Sequence, residues 1–72
     1  MYELRAGRAG TVTNVVVDEG QMVAEDDEIV ILATSDGPVS VVTDVPGVVR
    51  EIYAVAGGTV GPASVVALID ES

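Results

Sequence analysis

The sequence contains no cysteine and no histidine. Disulfide cross-links and thiolate or imidazole metal sites are therefore closed to it, and so is nucleophilic relay through either residue. Lysine is absent as well, and the only side-chain cations are Arg5, Arg8 and Arg50. Trp and Phe are missing, which leaves Tyr2 and Tyr53 as the aromatic residues. Apolar runs such as Val15–Val17 and Ile29–Ala33 are far too short to cross a membrane. The opening MYELRAG has no basic region ahead of an apolar stretch, so a signal peptide is not expected and the default expectation is a cytoplasmic protein.

What remains is small and aliphatic. The 72 residues allow one small domain with a thin core, stabilised by aliphatic burial, repeat-like geometry or a partner. Valine stands out, and β-branched side chains fit pleated, half-buried surfaces. With eight Gly and three Pro as punctuation, the composition predicts an all-β fold. Twelve acids against three arginines give a net charge of −9. Such a surface repels nucleic-acid phosphates and anionic lipid, so neither is an expected partner. An acidic, lysine-free, Thr/Val-rich chain resembles proteins of salt-loving archaea. In molar salt the Debye length falls to about 3 Å and self-repulsion is screened. An ordinary acidic protein that lost its few lysines by chance has the same composition.

An internal repeat organises the chain. GTVTNVVVDEGQMVAEDDEIVIL (residues 10–32) lies over GVVREIYAVAGGTVGPASVVALI (47–69) without a gap, at a constant offset of 37 residues. Gly10 falls on Gly47, Val12 on Val49, Gly20 on Gly57 and Val23 on Val60. Each half reads as strand, turn, short strand, turn, strand. Val12 and Val15 would face opposite ways under strict alternation, which predicts a bulge there and again between Val49 and Ile52. Gly20 and Gly57 are placed for turns needing positive φ. Val23 and Val60 then return to the core. Two such units related by a pseudo-two-fold make a flattened sandwich of two antiparallel sheets. Segment 33–38 becomes a hairpin tip at one end, with the chain termini neighbours at the other. Asp36-Gly37 is the favoured dipeptide for a two-residue I′ turn. Pro38 cannot donate a ladder hydrogen bond, so its arm is expected at a sheet edge or bulge.

In this spacing the chain resembles the biotinyl/lipoyl attachment family along nearly its whole length. The first half is similar to that family's G-x-V…V-x-V-x-x-G-x-x-V-x-x-G-D-x-(L/I), and residues 39–69 match its bend and second half. The resemblance implies a barrel-sandwich hybrid. It also implies an attachment lysine at the tip, eleven residues before the Gly that opens the second half. Here that position, counted back from Gly47, is Asp36, with Ala33, Thr34 and Ser35 filling the preceding motif positions. A carboxylate cannot form the amide that holds biotin or lipoate, and no neighbouring lysine exists to substitute. No cofactor is therefore expected. The family's G-D turn is Asp26-Asp27 in the first half and Ala63-Ser64 in the second. Asp26 suits a left-handed conformation, whereas Ala63 suits it less and Pro62 is expected to remodel that turn.

Other candidates are weaker. Glu25–Glu28 offers carboxylates to a hard cation, but the run lacks the spaced ligands and Gly of a calcium loop and reads better as a solvated turn. Asp36 with Asp18, Glu19 or Asp44 would make an acid/base couple, yet the pattern provides no cleft to hold one. GRAG (7–10) lacks the following helix of a phosphate loop and reads as a bend entering a strand. Tyr53 is expected in the core or on its rim. The tip residues Thr34, Ser35, Asp36 and Gly37 are the candidate partner-binding site, against the simpler reading of a tight turn. The sequence thus points to a non-enzymatic, unmodified binding or structural module, expected to serve a carboxylase or dehydrogenase component as an accessory subunit. The alternatives are a carrier whose attachment Lys has been replaced by Asp36, and a sandwich segment of a larger assembly such as a membrane fusion protein. The latter lacks the helical hairpin expected at the tip.

Overall fold

The computed structural model describes residues 1–71. Eight strands follow in order: β1 (Tyr2–Arg5), β2 (Gly10–Val15), β3 (Met22–Val23), β4 (Glu28–Thr34), β5 (Gly37–Val42), β6 (Gly47–Ile52), β7 (Thr59–Val60) and β8 (Val65–Glu71). The three strands β6, β7 and β8 each begin and end 37 residues after β2, β3 and β4. They form two antiparallel four-stranded sheets, ordered β1-β8-β6-β3 and β5-β4-β2-β7. The fold is the all-β barrel-sandwich hybrid, 34 × 18 × 18 Å.

The short strands cross between sheets. β3 pairs with β6 (Met22↔Val48), and β7 pairs with β2 (Gly10↔Val60), so each half completes the sheet of the other. This exchange, and the strand β1 along β8, are not visible in the residue pattern alone. Bulges interrupt the ladders between Val12 and Asn14 and between Val49 and Glu51, where the loss of alternation places them. Val12 and Val49 consequently both point inward, and both are fully buried. Ile29, Val30 and Leu32 enter the same core opposite Val66, Ala67 and Ile69. The core is thus lined by equivalent positions from the two halves. Burying aliphatic side chains stabilises by about 1.5–3 kcal/mol each relative to exposure, which is how a domain without cross-links holds together.

Turn chemistry sets the two ends. Gly20 and Gly57 take φ values of 88° and 89°, and Asp26 takes 72°, a left-handed conformation rare for a residue with a Cβ. Its counterpart Ala63 is not among the positive-φ residues, although the Ser64 amide donates to the Gly61 carbonyl at 3.1 Å just as the Asp27 amide does to the Ala24 carbonyl. Thr43, the buried polar side chain, donates to the Val45 carbonyl at 2.8 Å and accepts from its amide at 3.2 Å, so nothing polar is stranded. β1 begins beside β8, with Tyr2 opposite Ile69, which brings the chain ends together at the Gly47 end of the sandwich.

Candidate functional site

The hairpin joining β4 to β5 lies at the opposite end, and its ladder closes at Thr34↔Gly37. Ser35 and Asp36 form the turn. Neither has a positive φ, whereas Gly37 has φ 107°. The expected I′ turn at Asp36-Gly37 is therefore corrected. The turn sits one residue earlier, and the glycine supplies the left-handed step as the chain re-enters the sheet. Pro38 follows on the edge strand β5, where no ladder partner needs its missing N–H.

Thr34 clasps this turn. Its Oγ1 donates to the Gly37 carbonyl at 2.8 Å and accepts from the Asp36 amide at 3.1 Å. A threonine at the last strand position thus does what an ST turn does, holding the backbone of Asp36 while its side chain stays exposed. Nothing in the spacing of the repeat points to this role. Gly10 closes the floor beneath the tip: a Cβ there would stand 2.7 Å from the Ala33 carbonyl oxygen and 3.2 Å from the Thr34 Cγ2. Only a residue without a side chain lets β2 start so near the hairpin.

Two further loops share this end. The Ala6 amide donates to the Ser64 carbonyl at 2.9 Å and the Gly7 amide to the Pro62 carbonyl at 3.0 Å. Arg5 reaches the Ala63 carbonyl through a guanidinium nitrogen at 2.7 Å. GRAG is thereby a bend pinned to the 61–64 turn. Across residues 6–9, 35–36 and 61–64 the charged residues are Arg8 and Asp36. The acids of Glu25–Glu28, with Asp44, Asp70 and Glu71, gather at the far end, beside Gly47 and the chain ends. The tip end therefore presents the Asp36 carboxylate together with the Arg8 and Arg5 cations.

The structure brings Thr34, Ser35, Asp36 and Gly37 together and leaves the other candidates apart. Glu19 accepts from the Ile52 amide at 3.1 Å, and Asp44 accepts from the Tyr2 hydroxyl at 3.0 Å. Both are engaged away from the tip, and Asp18 lies in the turn closed by the Gln21 amide, so no acid/base couple forms with Asp36. In the Glu25–Glu28 run, Asp27 accepts from the Ala24 amide and Glu28 from the Ser40 hydroxyl, each at 2.8 Å. Among the described residues no three carboxylates converge on a cation. Tyr53 lies on the rim, half exposed. Its hydroxyl is held above the usual tyrosine range by the neighbouring Glu51 carboxylate first, and then by desolvation. Among the described residues no cavity opens in the surface, and no helix is long and apolar enough to cross a membrane.

Comparison with known proteins adds the family to this geometry. Among solved structures, the urea carboxylase of Kluyveromyces lactis superposes with a TM-score of 0.90 at 23% identity, over 96% of this chain. The chain spans only 6% of that protein's length, and at this identity the likeness speaks for the fold. No curated protein matches the sequence at a significant level. The family model described as "Biotin-requiring enzyme" matches residues 3–69, and with nearly every strand inside that match, the chain belongs to the biotin/lipoyl attachment family.

Proposed function

We propose that the chain is an unmodified, non-catalytic member of its family, a binding or structural module that docks through its hairpin tip. One observation carries the reading: the tip is built and clasped as a presenting hairpin, and the residue presented is Asp36. Biotin and lipoate are held through an amide to a side-chain amine, and this chain has no lysine anywhere. Asp36 offers acceptor oxygens and a negative charge instead. The module is then an accessory subunit of a carboxylase or 2-oxoacid dehydrogenase system, occupying the place of a true carrier, in the cytoplasm. Membership in a family described as biotin-requiring supports that partner class.

Binding to purified carboxylase and dehydrogenase components, read by surface plasmon resonance, tests the docking role. The wild-type chain is expected to bind one of them, and an Asp36→Arg variant to lose most of that binding. Equal binding by both would remove the tip from the interface. A second reading is a carrier in which Asp36 has replaced the attachment Lys, and it is favoured by the family match running unbroken past the tip. The two part at the natural codon for position 36: an Asp codon supports the module, and a Lys codon supports the carrier.

A further inference from the structure

The repeat pairs turns at the tip end with turns at the far end. The Ala6 amide donates to the Ser64 carbonyl at 2.9 Å, and 37 residues on the Thr43 amide donates to the Asp27 carbonyl at 3.0 Å. The bend 6–9 and the turn 61–64 are therefore the counterparts of 43–46 and 24–27. Their charges have diverged. Glu25, Asp26, Asp27 and Asp44 at the far end correspond to Pro62, Ala63, Ser64 and Gly7 at the tip end, and Val45 corresponds to Arg8. The remaining charged residues keep the contrast. Glu28, Asp70 and Glu71 bring the far end to seven carboxylates against Arg50 alone. The tip end has Asp36 and Glu3 against Arg5 and Arg8, while Asp18, Glu19 and Glu51 lie along the sides. Nearly all of the net charge of −9 thus sits away from the tip.

The three arginines are not equivalent either. Arg5 holds Glu3 at 2.7 Å and Arg50 holds Asp70 at 2.8 Å, whereas Arg8 forms no ion pair among the described residues. Arg8 is exposed, and its neighbours fix its place. Gly7 is tied to the Pro62 carbonyl, and Gly10 is set against the Ala33 carbonyl and the Thr34 side chain, so Arg8 stands beside the hairpin. A guanidinium left without a carboxylate, in a chain carrying twelve, is available to one from outside, and its planar fork matches a carboxylate in two hydrogen bonds. From these two observations we infer that Arg8 pairs with a carboxylate of the docking partner, and that the protein surface receiving the tip is acidic. This rests on the reading of the hairpin as the docking end. A basic receiving surface would draw in the far end, with its seven carboxylates, ahead of the tip. An acidic one repels the far end and tolerates the tip. The molecule is 34 Å long and the Debye length at physiological salt is about 8 Å, so a partner at the tip is screened from the far-end acids. A nucleic acid, with phosphates along its whole length, would meet those acids as well.

Surface plasmon resonance on purified carboxylase and dehydrogenase components, with the full chain at low and at high salt, tests this. Arg8→Gln is expected to weaken binding about three- to tenfold, mainly through slower association, as a charge at the edge of an interface does. Arg8→Glu is expected to weaken it further, and the gap between wild type and Arg8→Gln to narrow as salt rises. Arg50→Gln, which removes an arginine already paired away from the tip, is expected to bind as wild type does. Circular dichroism establishes that each variant is folded. Equal or tighter binding by Arg8→Gln, or an equal loss in Arg50→Gln, would overturn this inference alone if Asp36→Arg still loses binding. Wild-type chain that binds neither component, or binds no better than Asp36→Arg, would overturn the docking reading and this inference together. Arg8-dependent binding to RNA in place of either component would also overturn it.

Discussion

Thr34 and Asp36 divide the work of the tip between backbone and side chain. Because Thr34 Oγ1 both donates and accepts across the turn, Thr34→Val keeps the β-branched shape and removes both bonds. The expected cost is about 1–2 kcal/mol by urea unfolding, the net worth of one or two such bonds. An unchanged midpoint would mean the clasp contributes nothing. Gly57 is held by its φ of 89°, with open space around it. Gly57→Ala therefore costs about 1–2 kcal/mol through the left-handed backbone alone, and the same measurement checks it. Tyr2 carries the clearest pH signal. Burial, and then the hydrogen bond to Asp44, raise its hydroxyl above the ordinary 10.0. A raised acid favours its protonated form in the folded state, so the contribution is complete below pH 10.0 and is lost as pH climbs through the folded value. Tyrosinate absorbance is expected to rise above that pH, and Tyr2→Phe to flatten the alkaline loss of stability.

The strands were legible to different depths. Alternation broken at Val12–Val15 and Val49–Ile52 located both bulges, because only an extra residue restores the inward direction of the next valine. Gly20, Gly57 and Asp26 marked their turns, since few residues accept positive φ. The hairpin turn lies one residue earlier than the Asp-Gly pair predicts, because Asp-Gly serves two turn geometries. In one, the pair is the turn itself; in the other, adopted here, the Gly follows it. The exchange of β3 and β7 between sheets was not readable. Two-residue strands carry no period, and their partners are fixed by long-range packing. Exchange also ties the halves together. The segment after β2 returns to Val49 through the Gly20 and Gln21 backbone, and the segment after β6 returns to Val12 through Gly57. Unfolding is accordingly expected to be one cooperative transition, with circular dichroism and Tyr fluorescence superimposing in urea. Separate transitions for the two signals would show that the halves hold independently.

The whole molecule pairs a thin aliphatic core with a strongly acidic surface. With net charge −9, repulsion opposes compaction at low ionic strength and is screened within about 3 Å in molar salt. Thermal unfolding is expected to shift upward by several degrees between low and molar potassium chloride, equivalent to about 1 kcal/mol or more. A flat response would set aside the salt-adapted reading of the composition. We propose that Asp36 occupies the attachment position of a carrier fold, where a carboxylate cannot take the amide. Intact mass after co-expression with biotin and lipoate ligases tests it directly. Wild-type chain is expected to keep its unmodified mass, while Asp36→Lys, offering an amine on the same clasped turn, is expected to gain one biotinyl or lipoyl group. An adduct on the wild-type chain, or none on the folded Asp36→Lys variant, would contradict the account.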